Sequence, residues 1–329
     1  MKALCFEKFG EPDVLEYRDL PDPIPAPGSA LVRLEAIGLN FADIYRRRGN
    51  YHLAGAPPYI PGYEGAGVVE KFQAADAAPN DLPLLKLGQR VAFADSPHAN
   101  AELAVVPLEK LIPLPDDISC ETAAALLLQG LTAHYLTRDS HRIAPNEQAV
   151  VHAAAGGVGL LLVQIIKLLG GNVIALTSNE TKRAAALEAG ADAVVLIDDD
   201  WPDAILNLTC DRQGADVVYD SVGATLDASL RVTRKGGQVV FYGMAGGDPA
   251  LVDPRRLMDE SKTLTGGDLW NVLTSRAERI ARAAELFAWV RAGKLKVRIA
   301  EKFPLREGAK AHAFIESRQS IGKVLLIPA

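Results

Sequence analysis

Cysteine is scarce in this chain: three in 329 residues, at Cys5, Cys120 and Cys210. They are isolated and odd in number, so neither a disulfide framework nor a four-cysteine structural zinc site can be built from them. A strong charge of either sign is also lacking. Lysine and arginine number 35 against 41 aspartates and glutamates, a formal net charge of −6, and no field draws the chain to nucleic acid or an acidic membrane surface. No apolar run is long enough to read as a membrane span. The most hydrophobic window, Ala149 to Leu169, is broken by His152, Gln164, Lys167 and glycines, which fits a buried strand, turn and helix. The first ten residues carry Lys2, Glu7 and Lys8 without an apolar stretch, so no signal peptide is expected, and with reduced thiols the expected location is cytoplasmic. No repeat of solenoid period is present.

What is there divides into two textures, as the length also suggests at ~150 residues per domain. The first ~120 residues read as short strands broken by turns. Ala30 to Ile37 alternates partly, as a half-buried strand does. Pro21, Pro23, Pro25 and Pro27 precede it and exclude helix,. Gly65 to Glu70 and Gln89 to Phe93 read as further strands, and residues 73–85 as a loop. From Ser119 the texture changes. Ser119 caps an Ala/Leu-rich helix, and strand and helix signals then alternate,. Strands are expected at 148–153, 172–176, 193–197, 215–219 and 237–242, and helices at 157–169, 180–189, 203–209 and 225–232. Val-rich strands alternating with helices imply βαβ units and a parallel sheet. Residues 276–292 form an amphipathic helix with Ile280, Leu286, Phe287 and Val290 on its apolar side, and strand-like pieces follow at 297–300 and 324–327,. The first module is therefore expected to be discontinuous, completed by the C-terminal part.

Ala154 to Gly159 follows a strand and opens a helix. It fits the dinucleotide fingerprint, with Ala154 at the first glycine position, Gly156 at the second and Gly159 at the third. Gly156 lets the backbone approach a pyrophosphate, Gly159 lets helix and strand pack closely, and the N–H groups of Gly157 and Val158 lie at the helix start. The alternative is a turn that serves packing only. NAD-preferring sites carry an acid about 20 residues after the fingerprint. Here Thr177 and Ser178 stand there, followed by Lys182 and Arg183. Hydroxyls beside a cation suit a 2′-phosphate, so NADPH is the expected cofactor. The alternative is that the two cations are a solvated helix face.

Gly38 to Asp43, Pro61 to Gly67, Gly130 to Ala133 and Ala153 to Gly159 together resemble the medium-chain dehydrogenase/reductase superfamily. Within it the chain is similar to the zinc-independent quinone oxidoreductases, the group that includes ζ-crystallin. The resemblance runs over nearly the whole chain. It implies an α/β fold in which a Rossmann parallel-sheet domain is inserted in a GroES-like, mainly β catalytic domain, with the cofactor in the cleft between. The expected ranges are 1–122 for the first part of the catalytic domain, 123–265 for the Rossmann domain and 266–329 for the return. The zinc-dependent relatives bind their catalytic metal at three positions that carry Asn40, Tyr63 and Leu128 here. Only Glu64 of that neighbourhood remains a metal-type ligand, and one carboxylate does not hold Zn²⁺, so no metal is expected. The six histidines form no ligand spacing, and His152 reads as structural.

The resemblance places Asn40 and Tyr45 near nicotinamide and substrate. Asn40 either bonds the nicotinamide ribose or the acceptor oxygen, or is a local turn residue. Tyr45 either donates to or stacks on the acceptor, or packs amphipathically. Tyr51 is read as gating the pocket and Tyr63 as lining it. Thr132 is read as opening a helix and touching the cofactor, with helix capping as the alternative. Asp220 to Gly223 and Tyr242 to Ala245 follow strands and lie at the carboxyl edge where ligands bind, which assigns Ser221, Gly243 and Met244 to the cofactor, with the 242–245 backbone read as holding the carboxamide. Ile197 stands where NADPH-specific relatives have tyrosine, leaving Lys182 and Arg318 for the phosphate. Without a Lewis acid, alcohol oxidation is disfavoured, and an electrophilic acceptor such as a quinone or enone fits better. The expected activity is zinc-free hydride transfer from NADPH to such an acceptor, in a homodimer that binds neither nucleic acid nor membrane. The alternatives are a 2-alkenal or enoyl reductase on the same scaffold, and a non-catalytic NADPH-binding protein.

Overall fold

A computed structural model describes residues 1–73, 85–198 and 200–329. The loop expected over 73–85 lies, but for its ends, outside them, and Gln73 closes a strand. The chain forms two compact units. One comprises Met1–Leu128, Leu273–Ala288 and Val297–Ala329, and the other Gln129–Val272 and Trp289–Lys296.

The first unit begins with a two-stranded ribbon, β1 (Lys2–Cys5) with β2 (Glu16–Asp19). The proline-rich segment after it carries neither helix nor strand, because proline lacks the N–H that either would need,. There follow β3 (Ser29–Leu39), α1 (Phe41–Arg47), β4 (Gly65–Gln73), β5 (Arg90–Phe93), β6 (Leu103–Pro107), β7 (Ile112–Pro113) and α2 (Cys120–Tyr135). α2 is capped at its start by Ser119, whose Oγ accepts the N–H of Thr122 at 3.0 Å,. The stretch expected to be all strand and turn thus contains an α-helix, α1. Its Asn40 is the N-cap in a reciprocal capping box with Asp43,.

The second unit is built from β8 (Gln148–Val151), α3 (Gly157–Leu168), β9 (Asn172–Thr177), α4 (Glu180–Glu188), β10 (Ala193–Leu196), α5 (Trp201–Leu208), β11 (Ala215–Asp220), α6 (Leu226–Val232), β12 (Thr233–Phe241), α7 (Pro254–Glu260), β13 (Thr263–Gly266) and α8 (Leu269–Val272). All six strands are parallel, in the order β10-β9-β8-β11-β12-β13. Counted along the chain that is 3-2-1-4-5-6, the doubly wound dinucleotide-fold order. Its core includes Val150, Ile174, Leu176, Val218, Val239, Trp201 and Leu230, all buried. α5 starts two residues earlier than expected, because Pro202 is preset for a first helical turn,.

The chain then forms α9 (Arg276–Arg291), β14 (Ile299–Pro304), α10 (Gly308–Glu316) and β15 (Lys323–Ile327). α9 buries Arg279, Ala283, Leu286 and Phe287. Ile280 and Val290, expected on its apolar side, are only half-buried. Arg279 goes inside because Asp95 receives its guanidinium at 2.7 Å. The last strand, β15, joins the first unit's main sheet. That sheet runs β14-β15-β3-β4-β5-β7, with β6 on β3 as well. β15 lies antiparallel to the end of β3, Val324 opposite Leu39. Its core gathers Leu34, Ile37, Ile44, Val69, Phe93, Val324 and Leu326.

Candidate functional site

In the second unit the sheet order sets β9, β8, β11 and β12 side by side, so the segments leaving their carboxyl ends share one edge. Thr177 closes β9, Ala153 to Gly159 follows β8, Ser221 follows β11, and Gly243 and Met244 follow β12. In open parallel sheets this edge, near the point where strand order reverses, is where ligands bind.

The glycine turn is tight. Gly156 N–H donates to the Ala153 carbonyl at 2.8 Å, and Ala153 sits at φ 47°. Gly156 is the N-cap of α3. The N–H groups of Gly157, Val158 and Gly159 therefore lie in the first helical turn, where no carbonyl precedes to receive them. They and the positive end of the helix form an anion site. Gly159 is there for contact. A Cβ on it would stand 2.3 Å from the Ala153 oxygen and 2.7 Å from Ala154 Cα, both backbone. Gly159→Ala is expected to cost about 1–3 kcal/mol, read as a lower urea midpoint. Gly156→Ala, whose Cβ would stand 3.1 Å from the Ala153 oxygen, is the milder change. Equal midpoints for the two variants would refute this account of the turn.

Thr177 is buried, and its Oγ has no hydrogen-bond partner among the described residues. Next to it Ser178 Oγ accepts from Lys182 Nζ at 3.2 Å. Asn179 caps α4 through the Lys182 N–H at 3.0 Å. Arg183 faces Glu180 at 3.6 Å. At β11 the carboxylate of Asp220 accepts from the N–H groups of Val222 at 2.8 Å and Gly223 at 3.1 Å, and from Thr225 and Ser229 hydroxyls at 2.9 and 2.7 Å. It shapes the loop that carries Ser221. That loop is tied to the next by Ala245 N–H on the Ser221 carbonyl at 3.1 Å and Gly246 N–H on Val222 at 2.8 Å. Beneath them Ser229 Oγ lies 3.0 Å from His152 Nε2. His152 is fully buried, and burial pushes its imidazole below the ordinary histidine range,. Thr132 does not open a helix as expected. It lies inside α2, which runs unbroken from Cys120.

In the first unit four expected residues cluster about α1. Asn40 caps the helix. Tyr45 lies edge-on to Tyr51 with ring centres 6.4 Å apart, and Tyr51 packs on His52 at 4.0 Å. The guanidinium of Arg46 sits 3.7 Å over the ring of Tyr63 and 5.0 Å from that of Tyr51, within cation–π range of both. Arg46 is only 1% exposed. It donates to the His52 carbonyl at 3.0 Å and to Asp43 Oδ1 at 3.2 Å. Asp43 also accepts the Asn40 N–H at 3.0 Å. Its burial pushes the carboxyl above the usual range, against the opposing pull of Arg46. Tyr63 Oη accepts the N–H of Ala54 at 3.2 Å. Arg318, expected at the phosphate, lies in this unit as well, exposed in the turn after α10 at φ 57°.

Sequence reasoning missed Arg46, Asp43 and Lys323. Lys323 Nζ donates to Glu64 Oε2 at 2.6 Å and to Asn40 Oδ1 at 2.8 Å. A run of three arginines at 46–48 carries no local sign that Arg46 and Arg47 are buried. Among the described residues, no group of three or more His, Cys, Asp or Glu side chains is placed to hold a metal ion.

Residues 26–145 match the alcohol dehydrogenase GroES-like domain, and residues 157–289 the zinc-binding dehydrogenase domain. The chain is 38% identical to a quinone oxidoreductase of Pseudomonas aeruginosa, covering 99% of each. It is 35% identical to a 2-haloacrylate reductase of a Burkholderia species, covering 99% of this chain and 98% of the relative. Among solved structures it is similar to the Escherichia coli quinone oxidoreductase complexed with NADPH, at TM-score 0.94 and 35% identity over 100% of both chains. The strand order, the glycine turn and these full-length likenesses agree: the chain belongs to the quinone oxidoreductase-like group of the medium-chain dehydrogenase/reductase superfamily.

Proposed function

We propose that this protein is an NADPH-dependent oxidoreductase that delivers a hydride to a quinone or similar α,β-unsaturated carbonyl, without a catalytic zinc. The observation that carries the reading is the row at one sheet edge: glycine turn, Thr177 with Ser178 and Lys182, Ser221, and Gly243 with Met244. The residues fit the cofactor. The first-turn N–H groups of Gly157, Val158 and Gly159 have no preceding helical carbonyl, and the buried Thr177 hydroxyl has no partner among the described residues,. NADPH, when bound, supplies the hydride from its nicotinamide. The N–H groups of Gly157, Val158 and Gly159 take the pyrophosphate, which approaches over Gly156,. Thr177, Ser178 and Lys182, with Arg318, take the ribose 2′-phosphate. Thr132, Ser221, Gly243 and Met244 hold the nicotinamide end, and Asn40 its ribose or the acceptor. Tyr45, Tyr51 and Tyr63 line the acceptor side, where most catalysis is orientation and exclusion of water. The proton for the acceptor oxygen comes from Tyr45, Tyr51 or water.

The metal-free part rests on the donor set, since Asn40, Tyr63 and Leu128 stand at the ligand positions of metal-dependent relatives. The reading includes domain limits at about residues 122 and 265, a cytoplasmic location and a homodimer, the last checked by molar mass in solution. The test is steady-state oxidation of NADPH and NADH against quinones and acyclic enones, with metal analysis alongside. NADPH is expected to be preferred. Lys182→Ala is expected to lower kcat/KM for NADPH roughly tenfold, the worth of one charge-assisted contact, while NADH is unaffected. A preference for NADH, or stoichiometric zinc, would overturn the corresponding part. A second reading, reduction of an activated C=C bond, is favoured by the 2-haloacrylate reductase among the relatives. Enone turnover far above quinone turnover would establish it. NADPH binding with no oxidation by any acceptor would instead support a non-catalytic role.

A further inference from the structure

Asn40 is held by residues that the proposed chemistry does not itself use. Lys323, the first residue of β15, is 1% exposed, and Glu64 is fully buried. The Lys323 ammonium donates to Asn40 Oδ1 at 2.8 Å and to Glu64 Oε2 at 2.6 Å, and that same oxygen accepts from Asn40 Nδ2 at 3.0 Å. The three side chains close a ring. Glu64 Oε1 accepts the N–H of Leu128 at 2.7 Å, and Asn40 Nδ2 also donates to the Gly38 carbonyl at 3.2 Å. Gly38 makes the room: a Cβ there would stand 2.2 Å from Glu64 Oε2 and 2.5 Å from the Ala124 carbonyl oxygen.

Two features of this ring point beyond stability. An apolar pair of the same volume generally holds two strands together as well as a buried ion pair or better. Such a pair cannot orient an amide. Here the ammonium faces the amide oxygen and the carboxylate faces the amide NH₂, so turning the amide over would set NH₂ against NH₃⁺ and oxygen against carboxylate. The locked residue also caps α1, the helix that carries Tyr45 and Arg46.

We propose that Lys323 is a positioning residue, an internal cation on the last strand that locks the Asn40 amide in one orientation. With Glu64 it places a built-in charge pair among Asn40, Tyr63 and Leu128, the positions that metal-dependent relatives give to ligands. This rests on the reading of Asn40 as an acceptor-side residue. The test uses the full-length protein. Lys323→Met alone leaves the Glu64 carboxylate buried without its cation and is expected to unfold readily. Glu64→Gln with Lys323→Met restores neutrality and keeps an acceptor for the Leu128 N–H. This double variant is expected to melt close to the parent and to bind NADPH with unchanged affinity. Its kcat is expected to fall roughly 10–100-fold, the usual effect of a misplaced group, with KM for NADPH unchanged. The Asn40 side-chain amide, followed by ¹⁵N NMR, is expected to exchange with solvent faster than in the parent. Lys323→Arg, which returns a cation, is expected to recover part of kcat. A double variant with parental kcat and parental amide exchange would overturn the proposal and reduce Lys323 to a structural role. A parent that reduces no acceptor would overturn the proposed function instead, and the exchange measurement would still judge the lock.

Discussion

Replacing Asp43 by alanine should cost the protein about 3–5 kcal/mol of stability, the expected penalty for removing one side of a buried ion pair. Asp43 is fully buried and Arg46 is 1% exposed. The carboxylate meets the guanidinium at 3.2 Å and holds the Asn40 N–H at 3.0 Å. Asp43→Ala takes the facing carboxylate from a guanidinium that keeps its bond to the His52 carbonyl and so cannot swing out to water without breaking it. The same change removes half of the capping box at the start of α1. Urea unfolding at constant slope reads the loss directly. Adding Arg46→Met should recover much of it, because the pair is then gone rather than broken. A single-variant loss below about 1 kcal/mol would refute the buried-pair account.

Acid should destabilise the protein as soon as the pH falls below the ordinary histidine range. His312 is fully buried, and burial together with the Arg47 guanidinium, 3.2 Å from its Nδ1, pushes the imidazole down to about 3. The sign follows from proton uptake. As pH falls below the ordinary histidine value of about 6.5, the unfolded chain takes up a proton that the folded chain refuses. The stability contributed by neutral His312 is therefore complete above that value and is lost toward pH 3. The slope is about 1.4 kcal/mol per pH unit, on the order of 4–5 kcal/mol over the whole window. His152 is shifted in the same direction by its burial and adds to the loss. His312→Gln keeps an acceptor for Arg47 and cannot titrate. Unfolding free energies measured from pH 7 to pH 4 should fall less steeply in this variant, by about 1.4 kcal/mol per unit. Parallel curves for the variant and the parent would show that His312 does not titrate as argued.

The readable parts of the molecule are those whose cause is local. From Gln148 to Phe241, valine-rich strands alternate with helices, and the residues that predict each element lie within it or beside it, although the start of α5 at Trp201 is not read from them. The glycine turn is legible for the same reason. α1 is not legible in the same way, because Arg47 on it is buried against His312 and Glu316, 265 and 269 residues away in sequence. Arg279 is a comparable case, turned inward by Asp95 at a separation of 184 residues. Asn40 could be singled out from its motif, but the ring that orients it could not. A lysine in a strand near the end of the chain gives no sign that it will be buried, because burial needs a partner that only the folded sheet supplies.

The return of β15 to β3 also sets an order of assembly during synthesis. Glu64 and Lys323 are 259 residues apart, an interval that takes a ribosome roughly 13–50 s at about 5–20 residues per second. The strands of the parallel sheet, Gln148 to Gly266, emerge within that interval, and their pairing awaits nothing made later. The first unit has no such independence. Until the last strand appears, the end of β3 lacks its neighbour and Glu64 lacks its cation. The nascent chain thus carries a finished sheet beside an unfinished one. A ribosome stalled before Lys323 would hold a product whose first sheet remains open to chaperones and proteases.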